Sequence, residues 1–444
     1  MENLASDLLD KIRQQFNFGP YPRVPLEKSP KEDLNDLFIH NLITPFYLRD
    51  QRIFSNQDAV ILDAGCGTGY KALVLAEANP NARIIGIDVS EESIELAKQR
   101  LRYHGIDRAE FHVMTIEDVN QLNLQFDYIN CDEVLYLFPN PGIGLEILGS
   151  VLKSNGIIRA NLHSALQRTD LYRAQQVFRL MGLFDNNPQE LEMEIAIDTM
   201  KALKDQVNLK SRTWTPIYEE ADGKQALLMN YLFQGDTGYT IPDLFQALEH
   251  ANLEFMSMVN WRHWELMDLF KDPQNLPVFW EMSFPEISIQ DRLHLFELLQ
   301  PIHRLLDFWC GHPGNHSSIL PVTQWDEMMW KGASATLHPQ LNSLHIKARL
   351  EECIAQQISF DVSQYLSMPA VGSVVVNDSL AACLLPLWEG TQSVNALVER
   401  WLKIRPVHPI TLEPTSWEIA FQDVTRLLTQ LEVFLYVLIE PALD

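Results

Sequence analysis

The stretch AVILDAGCGTGY, residues 59–70, decides how this chain is read. An apolar run from Ala59 to Leu62 leads into Asp63 and then into three glycines spaced two apart, Gly65, Gly67 and Gly69. A helical pattern, YKALVLAEA, starts at Tyr70 and is stopped by Pro80. A short apolar run bounded by glycines is the pattern of a buried strand. The glycines let the backbone turn tightly and approach a ligand with no Cβ in the way. The helix that follows aims its free N–H groups at negative charge.

The same alternation continues on the C-terminal side. ARIIGIDV (82–89) reads as a second buried strand, and EESIELAKQRLRYHG (91–105) as a helix with Ile94, Ala97 and Leu101 on one face and Gly105 as its stop. AEFHVMTI (109–116), FDYINCDEV (126–134) and GIIRANLH (156–163) read as three more strands, with the helix IGLEILGSVLK (143–153) before the last. Alternating strands and helices predict a parallel, doubly wound sheet that binds ligands beyond the carboxyl ends of its strands. Residues 165–236 break the alternation with helical, charged sequence, and IPDLFQALEHANLEFMSMVN (241–260) reads as one more helix and strand. A Trp-rich stretch (Trp261, Trp264, Trp280, Trp309) reads as helical, SSILPV (317–322) as a last, antiparallel strand, and the chain beyond about 330 as helical again.

The glycine loop points to a nucleoside-bearing cofactor with mixed charge. S-adenosylmethionine (SAM) carries a carboxylate, which suits backbone N–H groups, and an ammonium and a sulfonium, which suit Asp63. Asp88 stands 19 residues past Gly69, at the end of the second strand, where a carboxylate accepts hydrogen bonds from ribose hydroxyls. Val89 beside it can lie on an adenine face, and Ile116 and Glu117, at the end of the third strand, stand where an acceptor for the adenine amino group belongs. A nicotinamide or flavin cofactor is the main competitor. Its fingerprint is G-x-G-x-x-G, whereas here Tyr70 falls in the place of the third glycine and Asp63 would repel a pyrophosphate. A glycine turn with no ligand is the third alternative.

Composition narrows the class of partner. The 444 residues carry a formal net charge of −25, with most of the excess acid after residue 170. Such a chain repels phosphate backbones, so no nucleic-acid partner is expected. No apolar run is long enough to span a bilayer, and the N-terminal MENLASDLLDKIRQQF lacks the basic-then-apolar order of a secretory leader. The cysteines (Cys66, Cys131, Cys310, Cys353, Cys383) are odd in number with no C-x-x-C pair, which fits a reducing cytoplasm and argues against a disulfide framework or a zinc site. His312 and His316 sit four apart, but Gly311, Pro313 and Gly314 make that segment a loop, and no metal is expected there.

DAGCGTG, IIGIDVS, TIEDV, FDYINCDEV and LKSNGIIRANLH resemble the successive motifs of class I, Rossmann-like SAM-dependent methyltransferases over residues 59–164. A wider resemblance takes in Pro20-Tyr21-Pro22, the helical region after the fifth strand, LLDFWCGHPGNHSSILPV, and LAACLLPLWEGTQSVNALVERWL. It is to bacterial methyltransferases with a regulatory domain and a C-terminal winged-helix-like module, the layout of some protein-lysine methyltransferases. GHPGNHSSILPV lacks the arginines often found at that position in the family. The resemblance implies an α/β fold: a doubly wound Rossmann-like sheet, a helical insertion and a mainly helical C-terminal domain. The expected organisation is a Pro-rich helical lid over 1–50 and a SAM-binding core over 51–164. A helical insertion over 165–236, the end of the core sheet with Trp-rich helices over 237–325, and a C-terminal module over 330–444, with a possible protein partner, complete it. Asn130-Cys131-Asp132-Glu133 is not the N/D-P-P-Y pattern of enzymes that methylate the exocyclic amines of bases or glutamine amides.

Methyl transfer is an in-line displacement, so the protein's task is to align the acceptor and keep it dry. Glu133, Tyr136 and His163 lie where strands four and five end and are the candidate catalytic groups. For Glu133 a cap or surface charge is the alternative, and for His163 a hydrogen-bonded strand-end histidine. Cofactor contact is expected from Asp63, Gly65, Cys66, Gly67, Gly69, Asp88, Val89, Ile116, Glu117 and Cys131, the two cysteines as small buried side chains. Tyr21, as part of a lid, and Trp261 and Trp264 are the candidate acceptor contacts, with ordinary packing as the alternative for each. Two classes stay open: an enzyme methylating a small metabolite or a protein side chain, and a SAM-binding regulatory protein without turnover.

Overall fold

The computed structural model describes residues 11, 13–15, 22–220, 223–314, 320–408 and 410–442. Its centre is a seven-stranded sheet of order β3-β2-β1-β4-β5-β7-β6. The strands are β1 (Val60–Ala64), β2 (Arg83–Asp88), β3 (Ala109–Val113), β4 (Phe126–Cys131), β5 (Leu152–His163), β6 (Glu254–Met258) and β7 (Leu305–Gly311). β1 to β5 run parallel, and β7 lies antiparallel between β5 and β6. Strand order reverses between β1 and β4, and the cleft of a doubly wound sheet opens at that switch point. β1 reads as an unbroken apolar run because helices cover both faces of a parallel sheet.

Of the helices α1 (Leu34–His40), α2 (Ile43–Asp50), α3 (Tyr70–Ala78), α4 (Glu91–Tyr103) and α5 (Pro141–Ser150), α1, α4 and α5 start on a side-chain cap. The Ser90 hydroxyl accepts from the Ser93 amide at the head of α4, and the Asn140 side chain accepts from Gly142 ahead of α5, with Pro141 at its first position. The insertion after β5 forms α6 (Thr169–Leu180), α7 (Glu190–Ala202), α8 (Asn208–Thr213) and α9 (Gly223–Tyr231), packed around their own core of Phe178, Met193, Met200, Leu227 and Tyr231. Helix α10 (Ile241–His250), begun by the capping box Thr240/Asp243, then leads into β6.

Three readings of the sequence are corrected. The last antiparallel strand is 305–311 rather than 317–322; of the latter, 317–319 lie outside the described residues. Trp309 belongs to that strand and is fully buried, because a short apolar run carries no period that separates a strand from a helix. The third strand ends at Val113, and Ile116 and Glu117 follow in a 3-10 turn.

Beyond residue 330, helices Leu344–Gln356, Val394–Ile404 and Trp417–Glu432 pack with a three-stranded sheet of Gln392–Ser393, Ser334–Leu337 and Val437–Glu440. Their apolar core takes in Phe38, Ile43 and Tyr47 from α1 and α2, whereas Leu42 and Phe46 of the same helices pack on the main sheet. The Tyr47 hydroxyl donates to the Ile439 carbonyl (3.0 Å) and accepts from the Ile439 amide (2.8 Å). α1 and α2 are thus shared between the two cores. No helix of the described residues is long and apolar enough to cross a membrane.

Candidate active site

A cavity of about 540 Å³ opens at the switch point. Its floor is the turn after β1. Gly65, Gly67 and Gly69 have φ of +78°, +50° and +80°. At Gly69 a Cβ would stand 2.7 Å from the Cα and Cβ of Ala97 on α4, and at Gly65 it would meet Val134 at 2.3 Å. Both positions demand glycine for conformation and for space. The turn is pinned from below by the Gly65 and Cys66 amides, which donate to the Ile87 carbonyl.

The Asp88 carboxylate accepts from the Gly67 amide (2.9 Å) and the Ser90 amide (2.8 Å), one bond to each oxygen, and burial pushes its pKa up against them. Each oxygen keeps a lone pair for a hydroxyl. Asp63 lies deeper. Its Oδ1 accepts from the Asn130 amide at 2.8 Å, its Oδ2 is buried with no partner, and burial pushes the carboxyl up to about 7. An orphaned buried carboxylate oxygen facing a cavity is a receptor for a cation. Lys71 also lines the cavity and pairs with Asp36 at 2.7 Å. Burial would raise the Asp132 carboxyl, but Arg159 and Lys71 hold it down at about 2. A cationic ammonium finds the orphaned Asp63 oxygen, ribose hydroxyls find the remaining lone pairs of Asp88, and Lys71 offers a cation to a carboxylate, so SAM fits this set.

A second network backs the first. Arg159, buried on β5, forks onto Asp307 (2.7 and 3.1 Å), donates to Asn130 (3.0 Å) and donates to His40 Nε2 (2.8 Å). Asn130 is thereby oriented, its oxygen toward Arg159 and its amide toward Asp63. His40 and Asp36 sit on α1, so that helix completes the electrostatics of the cavity.

The N-terminal segment crosses the rim. Pro22 and Val24 line the cavity, and Arg100 of α4 holds that segment by donating to the Val24 carbonyl (2.7 Å), the Pro25 carbonyl (2.8 Å) and the Thr68 carbonyl (3.0 Å). Tyr21 lies outside the described residues.

Of the residues singled out from sequence, Asp63, Gly65, Cys66, Gly67, Asp88, Val89, Ile116, Glu117, Glu133 and Tyr136 line the cavity. Cys66 is buried and its thiol pushed up, so it presents a small apolar wall rather than a thiolate. Gly69 packs on α4 instead, and Cys131 is fully buried behind the cavity wall. His163 stands one layer back, its ring stacked on Tyr136 at 3.9 Å. Trp261 packs against Phe38, and Trp264 stacks on His303 at 4.5 Å while donating to Asn260; neither lines the cavity. Glu133 adopts φ +57°, rare for a side chain of its size, and is held there by the Asn161 oxygen, which accepts its amide at 2.7 Å. The Glu133 carboxylate pairs with Arg304. Sequence reasoning missed Lys71, Thr115, Phe138 and Met229. Lys71 had a signal, being the second residue of the helix after the glycine loop; Met229, 160 residues past Gly69 on α9, had none.

Residues 55–222 match a family described as the methyltransferase domain. Residues 55–222 form a methyltransferase domain. An uncharacterised protein of Synechococcus is 28% identical over 303 residues, 68% of each chain. The malonyl-[acyl-carrier protein] O-methyltransferase of Acetivibrio thermocellus is 30% identical over 119 residues, 27% of this chain and 41% of that one. Among solved structures, PKMT2 from Rickettsia typhi superposes with a TM-score of 0.57 at 17% identity, covering 92% of this chain and 76% of that chain. That likeness extends the shared fold beyond the methyltransferase domain, through the insertion and the C-terminal region. The chain spans less than half the length of the Acetivibrio relative, and the methyltransferase domain is what the two share.

Proposed function

We propose that this methyltransferase acts on a small, largely apolar acceptor that carries no negative charge. One observation carries the reading. Met229 of α9, a residue of the insertion, lines the cavity together with Tyr136, Phe138 and Pro139. Its volume of about 540 Å³ lies in the ordinary range of small-ligand clefts, roughly 300–1,000 Å³. An enclosed apolar end suits a small molecule better than a protein side chain presented on a bulky surface. Asp63, Asp88, Glu117, Asp132 and Glu133 line the cavity, with Lys71 as the single cationic lining residue among the described residues, so an anionic acceptor is repelled. The net charge of −25 argues against nucleic acid in the same way.

When bound, SAM supplies an electrophilic methyl on its sulfonium. In our reading Asp63 holds the cofactor's ammonium, Lys71 its carboxylate, and Asp88 the ribose hydroxyls, with Val89, Ile116 and Glu117 at the adenine. Tyr136, Phe138 and Met229 exclude water from the acceptor end. The Glu133 carboxylate, paired with Arg304, takes the proton when the acceptor is a hydroxyl or an amine. The test is incubation of the full chain with methyl-labelled SAM and a bacterial extract split into small-molecule and protein fractions, each analysed by mass spectrometry. Label should enter the small-molecule fraction. Label confined to protein would overturn the acceptor class, and SAM binding with no transfer to either fraction would favour a regulatory protein.

A further inference from the structure

The five-residue chain Glu133–Arg304–His163–Asp236–Arg168 runs from the cavity wall into the insertion, two oppositely charged pairs joined through the His163 ring. Asp236, the last residue of the insertion, has no exposed side-chain surface. Its Oδ1 accepts from His163 Nδ1 at 2.6 Å, and its Oδ2 accepts from Arg168 Nη2 at 2.9 Å and from Gln175 Nε2 at 2.8 Å. That places the His163 proton on Nδ1 and leaves Nε2 to accept from Arg304 Nη1 at 3.4 Å. Arg304 in turn pairs with Glu133. On its face the His163 ring carries Tyr136, centroids 3.9 Å apart and planes 17° from parallel. Tyr136 and Glu133 both line the cavity.

Resting on the acceptor end assigned above, we propose that Asp236 is a positioning residue for methyl transfer: it fixes the tautomer of His163 and thereby holds Tyr136 and the Arg304–Glu133 pair in place. Closure of the insertion does not need these side chains. The backbone already staples it, with Tyr239 N donating to the His163 carbonyl (2.8 Å), Ala165 N to the Tyr239 carbonyl (2.8 Å) and Ser164 N to the Arg304 carbonyl (2.9 Å). A buried ion pair is a poor source of stability compared with apolar packing of the same volume, and its best-attested use is to specify one arrangement. Burial lowers the His163 pKa, against the pull of Asp236, so the ring stays neutral and its two nitrogens keep distinct roles. The charged and titratable groups facing it are Asp236 from the insertion's end, Arg168 from α6, Glu133 and Tyr136 from the segment after β4, and Arg304 ahead of β7. Tyr172 and Tyr239 lie around Asp236.

Asp236→Asn makes a sharp test, because Arg168 and Gln175 both donate and claim the amide oxygen. The amide N–H then faces His163 Nδ1 and forces the proton to Nε2, against Arg304. The measurement is long-range nitrogen–proton NMR on the full chain labelled with 15N-histidine, His163 being assigned by its loss in His163→Gln. The wild type should show a protonated Nδ1 and a bare Nε2 at pH 7–8, with its ring Cε1 proton shifted upfield by Tyr136. The variant should switch tautomer and lose that upfield shift, while SAM affinity by calorimetry changes by less than about threefold, the two ends being separate sites. A wild-type His163 that is cationic at pH 7 or protonated on Nε2 overturns the proposal whether or not the variant folds. So does a folded variant with the wild-type pattern. No acceptor enters the measurement, so an error in the acceptor class leaves this result standing on its own.

Discussion

Asp63→Asn separates function from stability at one buried atom. In the free protein Asp63 keeps one carboxylate oxygen without a partner, and burial pushes its pKa up to about 7. Holding a carboxyl at about 7 when it would sit near 4 in the unfolded chain costs about 4 kcal/mol at and above neutral pH. The sign follows from proton uptake: between about pH 4 and pH 7 the folded chain binds the extra proton, so this group's contribution to stability falls as pH rises through that window. Asn is isosteric and keeps the bond from Asn130 at Oδ1, but leaves an N–H group at Oδ2 unmatched, worth about 1–3 kcal/mol. At pH 8 the SAM-free variant should be more stable than the wild type by about 1–3 kcal/mol, a rise in Tm of about 1–3 °C for a chain of 444 residues. At pH 5 the carboxyl is already protonated and the gain should vanish. SAM affinity should move the other way, by about 1.5–3 kcal/mol or roughly 10- to 150-fold, because the ammonium loses a charge-assisted bond. Thermal melts of both proteins at pH 5 and 8, with calorimetric SAM titrations, test this. A stability difference that ignores pH, or unchanged SAM affinity, would refute the reasoning.

Three other perturbations follow from the same geometry. Asp88→Ala should weaken SAM binding by about 1.5–3 kcal/mol in calorimetry on the folded variant, since it removes the ribose acceptor and frees the Gly67 amide. Gly69→Ala adds strain at φ +80° and a Cβ 2.7 Å from Ala97, so it should cost about 2–4 kcal/mol of stability in urea melts and abolish SAM binding. A chain ending at Val322 uncovers Phe38, Ile43 and Tyr47 of α1 and α2. Because α1 carries Asp36 and His40 toward Lys71 and Arg159, SAM affinity should fall along with Tm; a folded truncation that binds SAM like the full chain would show α1 to be self-sufficient.

How much of this was legible in the sequence depended on how far apart the interacting residues lie along the chain. The first five strands and the helices between them follow from local period and caps. Each is a run of five to thirteen residues whose apolar pattern is set by its own sequence, with Pro80 and Gly105 marking where two of the helices stop. Asp63, the glycines and Asp88 were legible because all of them sit on one strand–loop–helix–strand unit, where register alone brings a strand end beside a loop. Trp309 was misplaced because LLDFWCG, apolar but for Asp307 and buried along most of its length between β5 and β6, is too short to show whether its period is that of a strand or a helix. Tertiary structure alone decided three things. It set Met229 against Tyr136, it let α1 serve both the sheet and the C-terminal core, and it joined Asp236 to His163 across 73 residues. Periodicity reports which face of an element is apolar, but not which distant element will cover that face, nor which buried charge will be matched there. That match follows from the packing of the assembled sheet, where one ionised group stripped of water must find its partner.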